Sequence, residues 1–355
     1  MERSEAMTKF LICGLLIIHL SISSFSDSPI NLEAMPQLQS AAFIGLDRAW
    51  FVTFAGDILF TVDGGETWRK QPGEGVGGFE HISFLDSNIG WVITKNAEIL
   101  RTSDGAKTWT AISRLDYSQF PFVGPIEQIS FVDNNHGWVI DPFSIWRTED
   151  GGVSWKRCAP FSPPNTIRKL THECFFINER VGWLAGEGGV IHHTTDGGKT
   201  WKGNVIAHKD STLGGLHFIG EQHGWVLAWP DDGIYHTEDG GKTWNLISSL
   251  GRIAGLQSVH FTSRNEGWAI GFDRLSKPEK DKYFENIVLH TIDGGQKWER
   301  VKVGEKEPIL FRVHFVDQSR GWLLARDNAY RTEDGGKTWR IVLKLLPLVK
   351  SGSKQ

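Results

Sequence analysis

Apolar residues fall along this chain in short runs separated by polar turns, and the runs keep a fixed order. Seven stretches, FIGLDRAW, FLDSNIGW, FVDNNHGW, FINERVGW, FIGEQHGW, FTSRNEGW and FVDQSRGW, each place Phe and Trp seven residues apart, from Phe43/Trp50 to Phe315/Trp322. Two apolar runs flanking a polar turn predict a β-hairpin. A third run follows, such as EILRT or GIYHT, then an aspartate turn, then a fourth run that begins at Trp, as in TWTAI. Each unit therefore predicts four strands.

The aspartate turns, HTEDGGKTW and its relatives, recur seven times at Asp63, Asp104, Asp150, Asp196, Asp239, Asp293 and Asp334. Four-stranded units at a period of 41 to 54 residues match the blades of a β-propeller, where radial repetition leaves only short, protected sheet edges. The expectation is an all-β, seven-bladed propeller of four-stranded antiparallel blades over residues 41–346. Residues 1–27 are expected as a signal peptide or N-terminal anchor, 28–40 as a linker and 347–355 as a tail. A motif present seven times is more economically a joint of the architecture than a catalytic centre. In this reading each aspartate accepts backbone N–H groups of its own turn, the glycines take positive φ, and the Thr hydroxyls satisfy neighbouring backbone.

With strands counted from the hub outwards, turns 1–2 and 3–4 lie on one face, and turns 2–3 and the blade-to-blade links on the other. The first face is stereotyped and the second varies in length, which is where recognition is expected. Its long segments follow blades two and three and interrupt blades five and six. They offer Arg114, Tyr117, Phe120, Phe122, Arg168, Lys169, Trp229, Arg252, Arg274, Lys282, Tyr283 and Phe284, rings and cations of the kind favoured at protein interfaces. Packing of these rings beneath their own loops is the competing reading. Asp231 and Asp232 are neighbours in a tight turn and read as turn formers, not as a glycosidase pair.

Composition narrows the rest. Sixteen Trp, twenty-one Phe and forty Gly suit a repeat fold of packed rings and tight turns. A formal charge of -4 without a basic stripe argues against a nucleic-acid partner. Lys9 precedes an apolar run from Phe10 to Ile22, followed by the small residues Ser24 and Ser26, the layout of a secretory signal; cleavage and a retained anchor both stay open. Export would leave Cys158 and Cys174, which fall on an outer strand and on the next blade's inner strand, too far apart for a disulfide. The basic positions three before the turn aspartates, Arg101, Arg147, His193, His236, His290 and Arg331, with Phe60 as the exception, read as strand-bridging residues before they read as an anion ring. His192 and His193 alternate faces of one strand and make a poor metal pair, so neither metal nor cofactor is expected.

The aspartate turn resembles the Asp-box, or bacterial neuraminidase repeat. Its alternation with GWVI, GWLAG, GWVLA and GWAIG resembles the photosystem II stability/assembly factor family over nearly the whole mature chain. That resemblance implies a non-catalytic propeller, exported to a periplasm, lumen or the exterior, which helps assemble a membrane-protein complex through an arginine-rich patch. The loop arginines here match no motif that would carry the patch over residue by residue. A monomer is expected, with a membrane-protein complex or its assembly intermediate as partner. The alternatives are a sialidase-like glycoside hydrolase and a glycan-binding propeller using Trp229 and Tyr283. Against the hydrolase, no RIP segment is present, only Tyr117 and Tyr283 are loop tyrosines, and the chain holds one propeller.

Overall fold

The computed structural model describes residues 37–73, 77–118, 125–158, 173–230, 233–250, 253–279, 282–303 and 310–345. They form seven sheets of four consecutive antiparallel strands, spanning 38–71, 79–114, 128–158, 173–205, 212–249, 253–301 and 310–344. The first strands of successive blades pack on one another and line the hub, so the hub-outward strand order holds. The first strand, Leu38–Ile44, begins within the span expected as linker.

The aspartate turn works as a closed set of hydrogen bonds. In blade five the Thr237 hydroxyl donates to Asp239 Oδ1 at 2.8 Å and accepts the Gly241 N–H at 2.8 Å. The Thr243 N–H and hydroxyl donate to the two carboxylate oxygens at 2.9 and 2.6 Å, and Gly240 and Gly241 take φ of 77° and 87°. Blades one, two, three, four and seven repeat all four bonds. In blade six Lys297 replaces the hydroxyl residue and only its N–H remains as donor. The carboxylates are occupied by their own turns and share no pocket.

Blades are joined by aromatic rings. The Trp of each second strand is fully buried, and in blades one to six it lies flat on the Phe of the next blade's first strand, as in Trp91 on Phe131 (centroids 3.7 Å, 5°) and Trp138 on Phe176 (3.5 Å, 7°). Its indole N–H reaches the carbonyl of the next blade's turn, from Trp91 to Gly151 at 2.8 Å and from Trp183 to Gly240 at 3.0 Å. The turn Trp meets the same Phe edge-on, as Trp155 meets Phe131. The Gly before each second-strand Trp is required by this arrangement: a Cβ at Gly137 would stand 2.6 Å from the Phe131 ring, and one at Gly90 2.7 Å from Phe84.

Blade one carries Ala49 at that position, opposite Phe43, and the pattern breaks there. The extra methyl excludes the ring from its usual seat. Phe43 stacks instead on His314 of blade seven (4.7 Å, 8°) and meets Trp322 only at a tilt (5.6 Å, 42°). Arg331 then takes the Gly64 carbonyl at 3.0 Å, while the buried Trp322 Nε1 has no partner. The ring closes between blades seven and one through side chains: Trp322, Leu324 and Leu343 pack on Leu38, Phe51 and Leu59. Trp68 Nε1 donates to the Val342 carbonyl at 2.8 Å, and the Leu38 N–H reaches Arg326 O at 2.6 Å. Cys158 and Cys174 sit on the fourth strand of blade three and the first of blade four, unbridged.

Two stability measurements check this reading. Thr243 holds the Asp239 carboxyl down to about 2, so the turn's contribution is present above the ordinary carboxyl range and is lost as pH falls from about 4 to about 2. Asp239→Ala should cost on the order of 1 kcal/mol in urea unfolding at neutral pH and flatten that acid limb; an unchanged midpoint would remove the turn's role. Ala106 takes φ of 72° in the place of a turn glycine, so Ala106→Gly should raise stability by ~1 kcal/mol.

Candidate functional site

The described residues cover only part of the expected recognition face. Phe120, Phe122, Arg168, Lys169, Arg252, Asp231 and Asp232 lie outside the described residues. Arg274, Lys282, Tyr283 and Phe284 belong not to an irregular loop but to a long hairpin, Gly267–Glu279 paired with Lys282–Thr291, with Arg274 opposite Phe284. The strands of blade six simply run on past their neighbours' ends. Tyr117 is a packing residue: it is partly buried, meets Trp146 edge-on at 5.3 Å, and donates to Asp141 Oδ2 at 3.1 Å. Burial pushes both the Tyr117 hydroxyl and the Asp141 carboxyl above their ordinary ranges, as suits a shared buried hydrogen bond. Trp229 is 52% exposed at the end of its strand. Arg114 is exposed and donates to Asn96 O at 2.9 Å.

Arg114 leads to a cluster that loop length did not reveal. Asn96 sits in the 2–3 turn of blade two beside Lys95, whose ammonium donates to Phe54 O at 2.7 Å. Phe54, in the 2–3 turn of blade one, is 44% exposed, and Arg326 of blade seven lies over its ring at 5.5 Å. Phe54 thus carries Arg326 over its exposed ring and Lys95 on its carbonyl, with Arg114 on the turn that holds Lys95, across three blades and the closing seam. Such cation–ring pairs hold cations on a flat surface without neutralising them. Asp57 beneath is occupied by Lys70 at 2.9 Å. Burial pushes the Glu80 carboxyl up to about 7, against the pull of Lys95, so the patch gains net positive charge as pH falls through neutrality.

The hub encloses a channel of about 550 Å³. Its side chains mostly bridge blades: Gln128 Nε2 donates to Cys174 O at 3.1 Å and its Oε1 accepts the Cys174 N–H at 3.0 Å. Glu173 accepts the Leu216 N–H at 2.8 Å, and His217 Nε2 meets Phe261 O at 2.9 Å. Desolvation drives the His81 and His217 rings down to about 4 and raises the Glu173 carboxyl. Arg312 opens onto the channel space but is ringed by protein, and that desolvation lowers its pKa as well. Neutral imidazoles tied to backbone carbonyls fit a structural lining. On the opposite face, the positions three before the turn aspartates lie on the second-strand Trp rings: Arg101 over Trp91 at 5.5 Å, His193 on Trp183 at 5.2 Å and His290 on Trp268 at 4.8 Å. They bridge strands and form no anion ring.

Fold and surface together define a seven-bladed propeller of aspartate-turn blades that, among the described residues, carries a cationic patch around an exposed aromatic ring. The chain belongs to the family described as Photosynthesis system II assembly factor YCF48, whose model matches residues 21–121, 114–209 and 203–344. The Photosystem II assembly protein Ycf48 of Synechococcus sp. (strain JA-3-3Ab) is 23% identical over 200 residues, 52% of this chain and 54% of the relative; the chain spans about half the length of the curated relatives it matches. Among solved structures, YCF48 from Cyanidioschyzon merolae superposes with TM-score 0.65 at 20% identity, over 88% of this chain and 99% of that one. YCF48 bound to D1 peptide gives 0.63 at 22%, over 86% and 96%. The GH74 enzyme of Niastella koreensis gives 0.70 at 14%, over 90% of this chain and 56% of that one. These likenesses show the fold.

The assignment of Tyr117 to packing is checked by Tyr117→Phe, which should cost ~1 kcal/mol by removing one of the hydrogen bonds to the buried Asp141 carboxyl. Partner binding should stay at the wild-type level; a binding loss without a stability loss would return Tyr117 to the interface.

Proposed function

We propose that this chain is an exported, monomeric, non-catalytic propeller that assists assembly of a membrane-protein complex, as its family description suggests. It docks an assembly intermediate through the patch of Arg326, Phe54, Lys95 and Arg114. The observation that carries this reading is the family match across the propeller, joined to an exposed cationic surface whose side chains are held by carbonyl and amide oxygens rather than by carboxylates. An exposed ring flanked by cations suits an acidic or C-terminal peptide segment with an apolar side chain, since charge steers the encounter and the ring supplies the contact area. The aspartate carboxylates are consumed by their turns and much of the channel lining by blade-to-blade bonds, which supports recognition over hydrolysis. The signal-like residues 1–27 support export.

A D1 peptide, the ligand named for a solved relative, supplies the direct test. Isothermal titration should show binding that Lys95→Glu with Arg326→Glu weakens by about tenfold or more, with thermal unfolding unchanged, and that strengthens from pH 8 to pH 6. Binding indifferent to both reversals would exclude the patch. Turnover of fluorogenic sialosides or glucans would overturn the non-catalytic assignment.

A further inference from the structure

Blade five departs from the other six on the aspartate-turn face. Three equivalent positions recur in every blade: the residue two before the second-strand Trp, the residue three before the turn aspartate, and the residue one before it. In blade six the first two are Glu266 and His290, paired at 3.1 Å. In blade seven Arg331 pairs with Glu333 at 2.8 Å, and Arg320 turns to Asp317 at 2.7 Å. In blade three Arg147 pairs with Glu149 and His136 with Asp133. Blade five places His223, His236 and Glu238 at these positions and is the one blade with a metal-type donor at all three.

Strand geometry brings the three together. His236 lies opposite Trp225 across the ladder, and His223 precedes Trp225 by two, so both imidazoles and the carboxylate of Glu238 project from the same face of the sheet. One donor atom from each lies within 4.8 Å of the others. Stacking on Trp225 at 4.7 Å and 21° accounts for where the His236 ring sits. It leaves the ring nitrogens unexplained: His223 Nδ1 and His236 Nε2 are buried and have no hydrogen-bond partner. Two imidazole rings lie 5.9 Å apart at 20°, where the neighbouring blade has an acid and a base. Unpartnered buried nitrogens are costly, and a borderline-soft dication satisfies both at once. Tetrahedral zinc at ~2.0–2.1 Å from each nitrogen needs ligand atoms ~3.3 Å apart, which small rotations of His223 and of the exposed Glu238 side chain supply.

We propose that His223, His236 and Glu238 form a binding site for a zinc-type divalent transition metal. Two neutral imidazoles and one carboxylate set its affinity, and a fourth position faces solvent, open to water or to a donor from a docked chain. The site lies on the face opposite the cationic patch and stands independently of the docking role.

The test uses the untagged, metal-stripped full chain at neutral pH. Titration with zinc should show one equivalent bound, cobalt should give the intense visible bands of four-coordination, and affinity should fall as pH drops and the imidazoles take protons. His223→Gln and Glu238→Gln should each weaken zinc binding by about tenfold or more. His236→Ala also loses its stack on Trp225, so the two gentler variants carry the test, and each should melt like the stripped wild type. Wild-type chain that takes up no zinc at ~100 µM, far above the affinity of a three-ligand site, would overturn the proposal. So would His223→Gln or Glu238→Gln chain that binds zinc like the wild type.

Discussion

The molecule depends on one contact repeated around a circle: a second-strand indole lying flat on the phenyl ring of the next blade, with its N–H on a carbonyl of that blade's aspartate turn. A sheet of four strands cannot bury both faces alone, and this contact makes each blade's neighbour its cover. The turn's carboxylate matters here indirectly. By holding the glycine peptide in place it presents the carbonyl that receives the indole, so turn chemistry and blade packing are parts of the same joint.

Much of this was legible before any coordinates. The spacing of seven between Phe and Trp, the period of the turns and their residue types gave strand count, blade count and the task of the aspartates. The partner of each ring was not legible. Phe84 and Trp91 share a hairpin, yet Trp91 stacks on Phe131 of the next blade while Trp50 of the blade before covers Phe84. Nothing in a single repeat says which copy a side chain will meet. The exception at Ala49 was visible as a letter, but its effect depends on a ring standing over that position in three dimensions.

The candidate site was less legible for a related reason. Variation in loop length directed attention to the segments after blades two and three and to the insertion in blade six, which extends the sheet. Phe54, Lys95 and Arg326 sit in short, ordinary turns, and two of them lie in the first and last blades. Their meeting is a product of closure. The meeting of His223 with His236 was not legible either: His236 stood only among the basic positions before the turn aspartates, and His192 and His193 were the adjacent pair, while strand pairing joined residues from two different strands.

Each sheet is built from consecutive strands, so no backbone ladder crosses from the last blade to the first. Tension applied to the two ends of the chain would meet side-chain packing and a few lone hydrogen bonds at that junction, in a geometry that peels. Elsewhere in the circle a blade is clasped on both flanks by flat-stacked rings. Mechanically the disc is a clasped bracelet whose fastening sits where its first and last blades meet.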